Sequence, residues 1–449
     1  MKKILILPFF LALFALANAE IKVGTGRKII TPQTPIWLSG YASRKQPATE
    51  ILHDLWAKAV VIEQNNKNRI IIVTTDLLGL PHEVSEEVSQ RVIKKYGIKR
   101  SQLLLSSSHT HSGPVIRPGL SVMYELNDAE TQAVKNYTLQ LIDDIVNVVD
   151  MAMNRLTPMI LSAGHGSVDF AVNRREPTEE GVIIGVNPDG PVDHDVPVLK
   201  ITSPDGKLQA VLFAYACHNT TSNTYLINGD YAGFAQIELE KAYPGATAMF
   251  LMGCGADQNP YPRGSTELAA SHGKSLADAV KQVLESELTA VRPPISTEMS
   301  VVTLEFPPFD PDVYSKELTD PDRYKQRRAK LVLENYSNNL DVNKMKYPVQ
   351  AIRFGNDLTI IALSGEVVVD YSLEIKKKYP GENLFISGYC NEVQCYIPSL
   401  RVLTEGGYEP ETSMIYYGLP GPFTSDVQKT VFTGIDKVMK STGAGKSKN

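Results

Sequence analysis

Short apolar runs that stop abruptly at an ionisable or hydroxyl-bearing side chain recur along this 449-residue chain, and they limit its fold more than any other feature. Residues 57–63, 69–75, 103–105, 198–201, 210–216, 248–252 and 358–363 read as short buried strands, being apolar and too brief for core helices. Between them, segments 84–95, 131–154, 268–288 and a stretch running to Lys378 carry apolar residues at spacings of three and four, the period of an amphipathic helix. Strands alternating with helices predict an α/β protein: one large domain with a mostly buried central sheet flanked by helices. No internal repeat is visible in the sequence. Asp76, His109, His111, His218, Asp257 and Glu366 all stand just past strand ends. In open α/β sheets the ligand crevice lies outside those ends, so a metal site is expected there.

The two ends of the chain differ from its body. Met1-Lys2-Lys3, an apolar stretch over residues 4–16 and Ala17-Asn18-Ala19 have the order of a secretory signal peptide. Cleavage is expected after Ala19, leaving a mature chain that starts at Glu20 and is secreted or periplasmic. No later segment is apolar enough to span a bilayer. Residues 20–440 are assigned to the catalytic domain, and the Gly-, Lys- and Ser-rich residues 441–449 to a disordered tail. Segment 307–348 is charged and tyrosine-rich, and reads as a surface excursion with a helix over 320–335.

Charge and cysteine usage narrow the function classes. Without Lys2 and Lys3, 43 basic residues face 50 acidic ones, a formal charge of −7. That balance argues against a nucleic-acid partner, whose phosphates require a basic face. Cys217, Cys254, Cys390 and Cys395 form no Cys-x-x-Cys pair, which leaves a zinc ribbon or a redox motif unsupported.

The chemistry concentrates in Ser107-Ser108-His109-Thr110-His111-Ser112-Gly113-Pro114, directly after the Leu103-Leu104-Leu105 run. If extended geometry persists past the strand, His109 and His111 face the same way. Such a pair suits a divalent metal, or one metal ligand beside one proton donor. Four more segments carry candidates: His218 after the 210–216 strand, Glu366 at a strand-to-helix turn, Tyr396 with Tyr408 twelve residues on, and Arg174 in Ala171-Val172-Asn173-Arg174-Arg175. Each alone has a plainer explanation, whether a core histidine, a first-turn glutamate, a packing tyrosine or a solvated cation.

Together these segments resemble the neutral/alkaline ceramidases, zinc amidohydrolases of the N-acyl bond of ceramide. The likeness runs from about Gly26 to Phe423. It includes Gly40-Tyr41-Ala42-Ser43-Arg44, Thr75-Asp76-Leu77-Leu78-Gly79, Ser108-His109-Thr110-His111-Ser112-Gly113-Pro114 and Asn173-Arg174. The resemblance implies zinc as cofactor, with His109, His218, Glu366 and Tyr396 as its ligands. It implies that His111 acts as acid/base or substrate contact, and that Arg174 and Tyr408 line the polar end of the substrate pocket. The substrate would be a small molecule or lipid, with transient membrane contact compatible.

Two departures from the family pattern stand out. Where the family carries Gly-Asp-Val-Ser-Pro-Asn, this chain has Gly255-Ala256-Asp257-Gln258-Asn259-Pro260. A carboxamide at the serine position cannot form an acyl-enzyme, so amide cleavage by metal-activated water is expected, with Gln258 as a hydrogen-bond donor to the developing oxyanion. The surrounding hydroxyls of Ser107, Ser108, Thr110 and Ser112 are expected to hold the outer ring nitrogens of the histidines. The immunoglobulin-like domain of longer members is not expected to follow. Alternatives stay open: a zinc hydrolase of another amide or ester, for example glycan-linked, or a non-catalytic binding protein on the same fold. An amidohydrolase-type barrel also begins with His-x-His but needs two further metal histidines at strand ends, and only His218 is so placed.

Overall fold

The computed structural model describes residues 21–33, 35–65 and 68–444. The signal-peptide segment and residues 445–449 lie outside the described residues. Among the described residues no helix is long and apolar enough to cross a membrane. All four cysteines are free and buried.

The mixed α/β architecture holds, but the buried β-structure is divided. Instead of one central sheet there are three main sheets, each built by the same chain path. In the first, Ile21–Ile29, Trp56–Gln64 and Asn68–Thr75 pair antiparallel, and Leu103–Ser107 then joins Asn68–Thr75 in parallel. The second repeats this order with Ile160–Ser167, Asp195–Thr202, Leu208–Tyr215 and Thr247–Met252. The third does so with Ile295–Glu305, Lys344–Phe354, Leu358–Leu363 and Leu384–Ser387. In every unit a helix crosses over between the parallel strands: His82–Tyr96, Asp230–Ala242 and Val369–Lys378. A later helix packs on the antiparallel pair: Asp128–Met153, Thr266–Glu285 and Val427–Thr442. The repeat that the sequence hides is therefore plain in three dimensions.

Side-chain alternation explains how three sheets make one body. Along Asn68–Thr75, Ile70 and Ile72 face a core shared by all three sheets, with Leu199 and Leu212 from the second and Ile352 and Ile360 from the third. Ile71 and Val73 face the other way, onto Val88, Val92 and Ile145 of the covering helices. The outer faces of the second and third sheets are covered likewise. Strands buried on both faces need continuous apolar runs, which is why they were readable. Each fully buried Ile or Leu contributes roughly 1.5–3 kcal/mol.

The helices sit close to their predicted spans, and their ends have local causes. Asn127 and Glu130 form a reciprocal capping box at the start of Asp128–Met153. The last helix runs through Thr442, so the first two residues assigned to the expected tail, 441 and 442, are helical. Residues 306–343 are a long insertion between the first two strands of the third sheet, carrying Pro311–Glu317 and Arg323–Ser337, and the last residues of segment 307–348 already belong to the second of these strands. The insertion is tied down: Tyr324 donates to the Ala42 carbonyl, and Tyr314 to that of Pro420.

Candidate metal centre and its surroundings

The carboxyl ends of the parallel-paired strands from all three sheets meet at one point. Leu103–Ser107 leads to His109, Leu208–Tyr215 to His218, and Leu358–Leu363 to Glu366. Tyr396 enters through a two-residue parallel pairing of Glu366–Val367 with Tyr396–Ile397. Isolated bridges, Ser106 with Cys390 and Thr110 with Asn219, stitch the three ends together.

Four ligand atoms converge. His109 Nε2 is 3.2 Å from His218 Nε2 and 3.1 Å from Glu366 Oε2. His218 Nε2 is 3.2 Å from Glu366 Oε2 and 3.2 Å from Tyr396 Oη. Ligands about 2.0–2.1 Å from a tetrahedral zinc would be roughly 3.3 Å apart, so the spacing fits a shared ion. The tautomers fit as well. His109 Nδ1 is 2.6 Å from the Leu78 carbonyl, and His218 Nδ1 is 2.8 Å from that of Gly255. Each ring therefore donates from Nδ1 and turns an unprotonated Nε2 inward. Glu366 Oε2 consequently sits at ion-pair distance from both rings yet has no hydrogen-bond partner. Acceptors facing acceptors in a buried pocket are costly unless a cation lies between them. The donor set, two nitrogens and two oxygens, suits a borderline divalent ion.

His111 belongs to the cluster without matching its ligands. Its Nε2 is 3.2 Å from His109 Nε2, and His109, His111 and His218 form a buried group able to hold a metal. Its Nδ1, however, has no hydrogen-bond partner, so nothing fixes its tautomer as the carbonyls fix the other two. That sets His111 apart from the other two rings. The route to this arrangement differs from the expected one. The strand does not persist: His109 adopts φ +63°, a conformation that non-glycine residues rarely take. Its N–H bonds to the Leu77 carbonyl, and Asn219 anchors the preceding Ser108 carbonyl.

Electrostatics follow from burial and neighbours. Burial first, then the charge of Arg174, lower His218 to about 4, keeping its ring neutral. Burial, and then Glu366, push the Tyr396 phenol well above its ordinary value. Arg174 counters this by donating from Nη2 to Tyr396 Oη at 3.1 Å. Its Nε pairs with Glu409 at 2.8 Å, and Arg175 takes the other Glu409 oxygen at 2.5 Å. Tyr408 packs its ring edge-on against Tyr396, 5.5 Å between centroids, with Arg174 over its face.

Gln258 is not brought to the cluster. Its Nε2 donates to the Ala216 carbonyl, and its Oε1 accepts the Asp193 N–H at 2.7 Å. The side chain alternates away from Asn259, which instead faces Arg174 and Thr220. With its oxygen and one N–H taken by backbone away from the cluster, Gln258 is not positioned as the oxyanion donor that was expected. The serine and threonine hydroxyls likewise do not hold the histidines, since backbone carbonyls do. Ser107 meets Thr75, and Thr110 donates to Asn228. Asp76 and Asp257 also stay outside the cluster, one accepting from Trp56 and Gln236, the other from the Val369 N–H.

Sequence reasoning missed Tyr417, whose hydroxyl donates to Glu366 Oε1 at 2.5 Å and fixes the carboxylate. Nothing local to Ser413–Tyr417 marks it. Glu409 had a signal that went unread: an acid next to Tyr408, facing the adjacent cations Arg174 and Arg175.

Residues 21–286 match the family described as neutral/alkaline non-lysosomal ceramidase, N-terminal. A neutral ceramidase of Pseudomonas aeruginosa is 30% identical over 230 residues, covering 49% of this chain and 33% of that protein. A neutral ceramidase of Drosophila melanogaster is 27% identical over 247 residues, covering 51% and 34%. The aligned region thus spans about a third of these relatives' length. The fold extends the likeness. The crystal structure of the Pseudomonas aeruginosa neutral ceramidase superposes with a TM-score of 0.69 at 20% identity, covering 92% of this chain and 74% of that one. A ceramidase complexed with C2 gives 0.72 at 19% identity, covering 96% and 77%. With more than half of its residues inside the family's own boundaries, the chain belongs to the neutral/alkaline non-lysosomal ceramidases.

Proposed function

We propose that this chain is a secreted or periplasmic zinc-dependent hydrolase of an N-acyl amide, with His109, His218, Glu366 and Tyr396 holding the ion. The observation that carries this reading is the convergence of two outward-bonded imidazoles and an orphaned carboxylate oxygen on one point. The names of the relatives make ceramide the first amide to test. When bound, a divalent ion supplies a Lewis acid for the amide carbonyl and ionises water near neutral pH.

The chain's own residues set the stage for that chemistry. Leu78 and Gly255 carbonyls aim the two imidazoles, and Tyr417 aims Glu366. Arg174 stabilises the ionised form of Tyr396 by charge and by hydrogen bond. His111 Nε2 stands within reach of the reacting centre and is the group placed to pass a proton to the departing amine. Tyr408 lines the polar end beside Arg174. No acyl-enzyme is expected: position 258 carries an amide, and that amide is bonded away from the cluster.

A short-chain fluorescent ceramide and metal analysis of the purified protein test the reading. One equivalent of zinc is expected, with turnover lost on chelation and restored by zinc. Full turnover by metal-free protein, or a covalent acyl adduct on a nearby hydroxyl, contradicts it. For the compartment, mass spectrometry should find Glu20 at the mature N-terminus, and an intact Met1 on the natively expressed protein counts against export.

A further inference from the structure

A second recess opens beside His111, on the side away from Glu366 and Tyr417. It measures about 430 Å³ and is lined by Tyr41, Ser43, Arg44, Thr221, Asn223 and Arg263, among others. That volume suits a small head group. It is continuous with the metal cluster: the Tyr41 ring packs on His111 with centroids 4.8 Å apart, and Thr220 at its edge reaches Asn259, which faces Arg174. The recess bordering the other side of the cluster is apolar, with Leu78, Pro81, Ile116, Leu120 and Val393 around Tyr417.

The polar cleft carries positive charge and no carboxylate. Arg44 is only 6% exposed. Its guanidinium donates to the carbonyls of Ser39, His111 and Thr224 at 2.8, 2.6 and 3.0 Å, and it forms no ion pair among the described residues. A buried cation held by neutral oxygens alone is an uncompensated charge. The face of Tyr41 lies 4.8 Å from it. Arg263 is exposed at the rim and forms no ion pair among the described residues. Its loop is held to the cleft by the Gly264 N–H on the Thr221 carbonyl at 2.7 Å. The Thr221 hydroxyl is buried and turned to Asp230. Asp230, the carboxylate bonded to this segment, is occupied by the N–H groups of Thr221, Ser222 and Tyr231.

We propose that this cleft is an oxyanion subsite, and that the preferred substrate is an N-acyl amide whose polar end carries a negatively charged group such as a phosphate or sulfonate. Arg263 supplies an exposed guanidinium for that oxyanion, and Arg44 a fixed charge behind it. This inference rests on the amide-hydrolase reading and sharpens its substrate class.

The test uses the full chain loaded with zinc and amides sharing one short fluorescent acyl chain. One has a neutral amino-diol head, one the phosphate monoester of that head, and one a sulfonate. The charged amides should show kcat/KM about tenfold above the neutral one at low salt, mainly through KM, with the advantage shrinking as salt screens it. Arg263→Ala should reduce the charged-to-neutral ratio by about fivefold, and Arg263→Lys should retain most of it. A preference for the neutral amide, or a ratio indifferent to salt and to Arg263→Ala, overturns the proposal. Agreement by only one charged amide identifies which oxyanion the cleft accepts. If no amide is cleaved, it is the hydrolase reading that fails. The cleft is then judged by calorimetry with the phosphorylated amino alcohol: binding weakened by Arg263→Ala supports it, and no binding at millimolar concentration refutes it.

Discussion

The chain up to residue 286 and the chain beyond it contribute to the same centre by different means. The first part supplies His109, His111, Arg174 and His218, with His109 and His218 just past buried strands and held by backbone carbonyls. The later part supplies Glu366 and Tyr396 from a two-residue strand pair and Tyr408, Glu409 and Tyr417 from short helices, with Glu366, Tyr396 and Glu409 held by side chains. A backbone carbonyl survives almost any substitution, whereas a side-chain partner is lost with one. The histidine side of the centre should therefore be robust to changes in neighbouring residues, and the carboxylate and phenol side should not.

The strongest test of that contrast removes ligands from each side. His109→Ala and Glu366→Ala should both abolish zinc retention and lower turnover by more than about a hundredfold, read by metal analysis and by the fluorescent amide assay. If either variant keeps a full equivalent of metal, that side is not a ligand side.

Removing supports should separate the two sides. Tyr417→Phe takes away the hydroxyl on Glu366 Oε1 while keeping the ring. Zinc affinity or turnover should fall by about 10- to 100-fold, as for other partners that orient a metal ligand. Ser108→Ala and Ser112→Ala, whose hydroxyls have no partner, should leave both quantities within about twofold. Equal effects from all three would erase the distinction.

Gln258→Ala should act on stability first. It strips a buried acceptor from the Asp193 N–H and a donor from the Ala216 carbonyl, at roughly 1–3 kcal/mol each in a denaturation experiment. A large loss of kcat with unchanged stability would return Gln258 to the chemistry.

The smallest effect is a pH dependence at the seam between the two parts. His165 bonds Asp195 at 2.9 Å and Asn383 at 2.7 Å. Burial alone would lower its pKa, but Asp195 outweighs burial and lifts it above the ordinary 6.5. A raised histidine pKa gives stability that is complete below about pH 6.5 and fades as pH climbs through the folded value. Asp195, pulled below the usual carboxylate range, stays charged throughout that window. His165 is 37% exposed, so the contribution is under about 1 kcal/mol. His165→Ala should flatten the fall in stability between pH 6 and 8, and an unchanged slope would disprove the coupling.

Much of this was legible in the sequence for a physical reason. Strands buried on both faces must be continuously apolar, so residues 69–75, 210–216 and 358–363 announced themselves, and so did the polar residues that ended them. The first strands of each unit were not read. Ile160–Ser167 carries Gly164 and Gly166, where side chains of Leu288 and Val283 press close, and it lacks the apolar density of an inner strand. The threefold repetition left no trace because the same burial pattern is satisfied by unrelated residues in each unit.

By itself the sequence determined the strand and helix alternation, the His-Thr-His turn and, through the family motifs, the set of residues worth bringing together. Those properties depend on neighbours along the chain, such as hydrophobic period, turn chemistry and motif spacing. Only the tertiary structure decided that three sheets share one core, that Gln258 faces the backbone, that Tyr417 steadies Glu366, and that Arg44 lies buried without an acid. Each of these depends on what another unit of the fold places within hydrogen-bonding reach, and chain spacing carries no information about that distance.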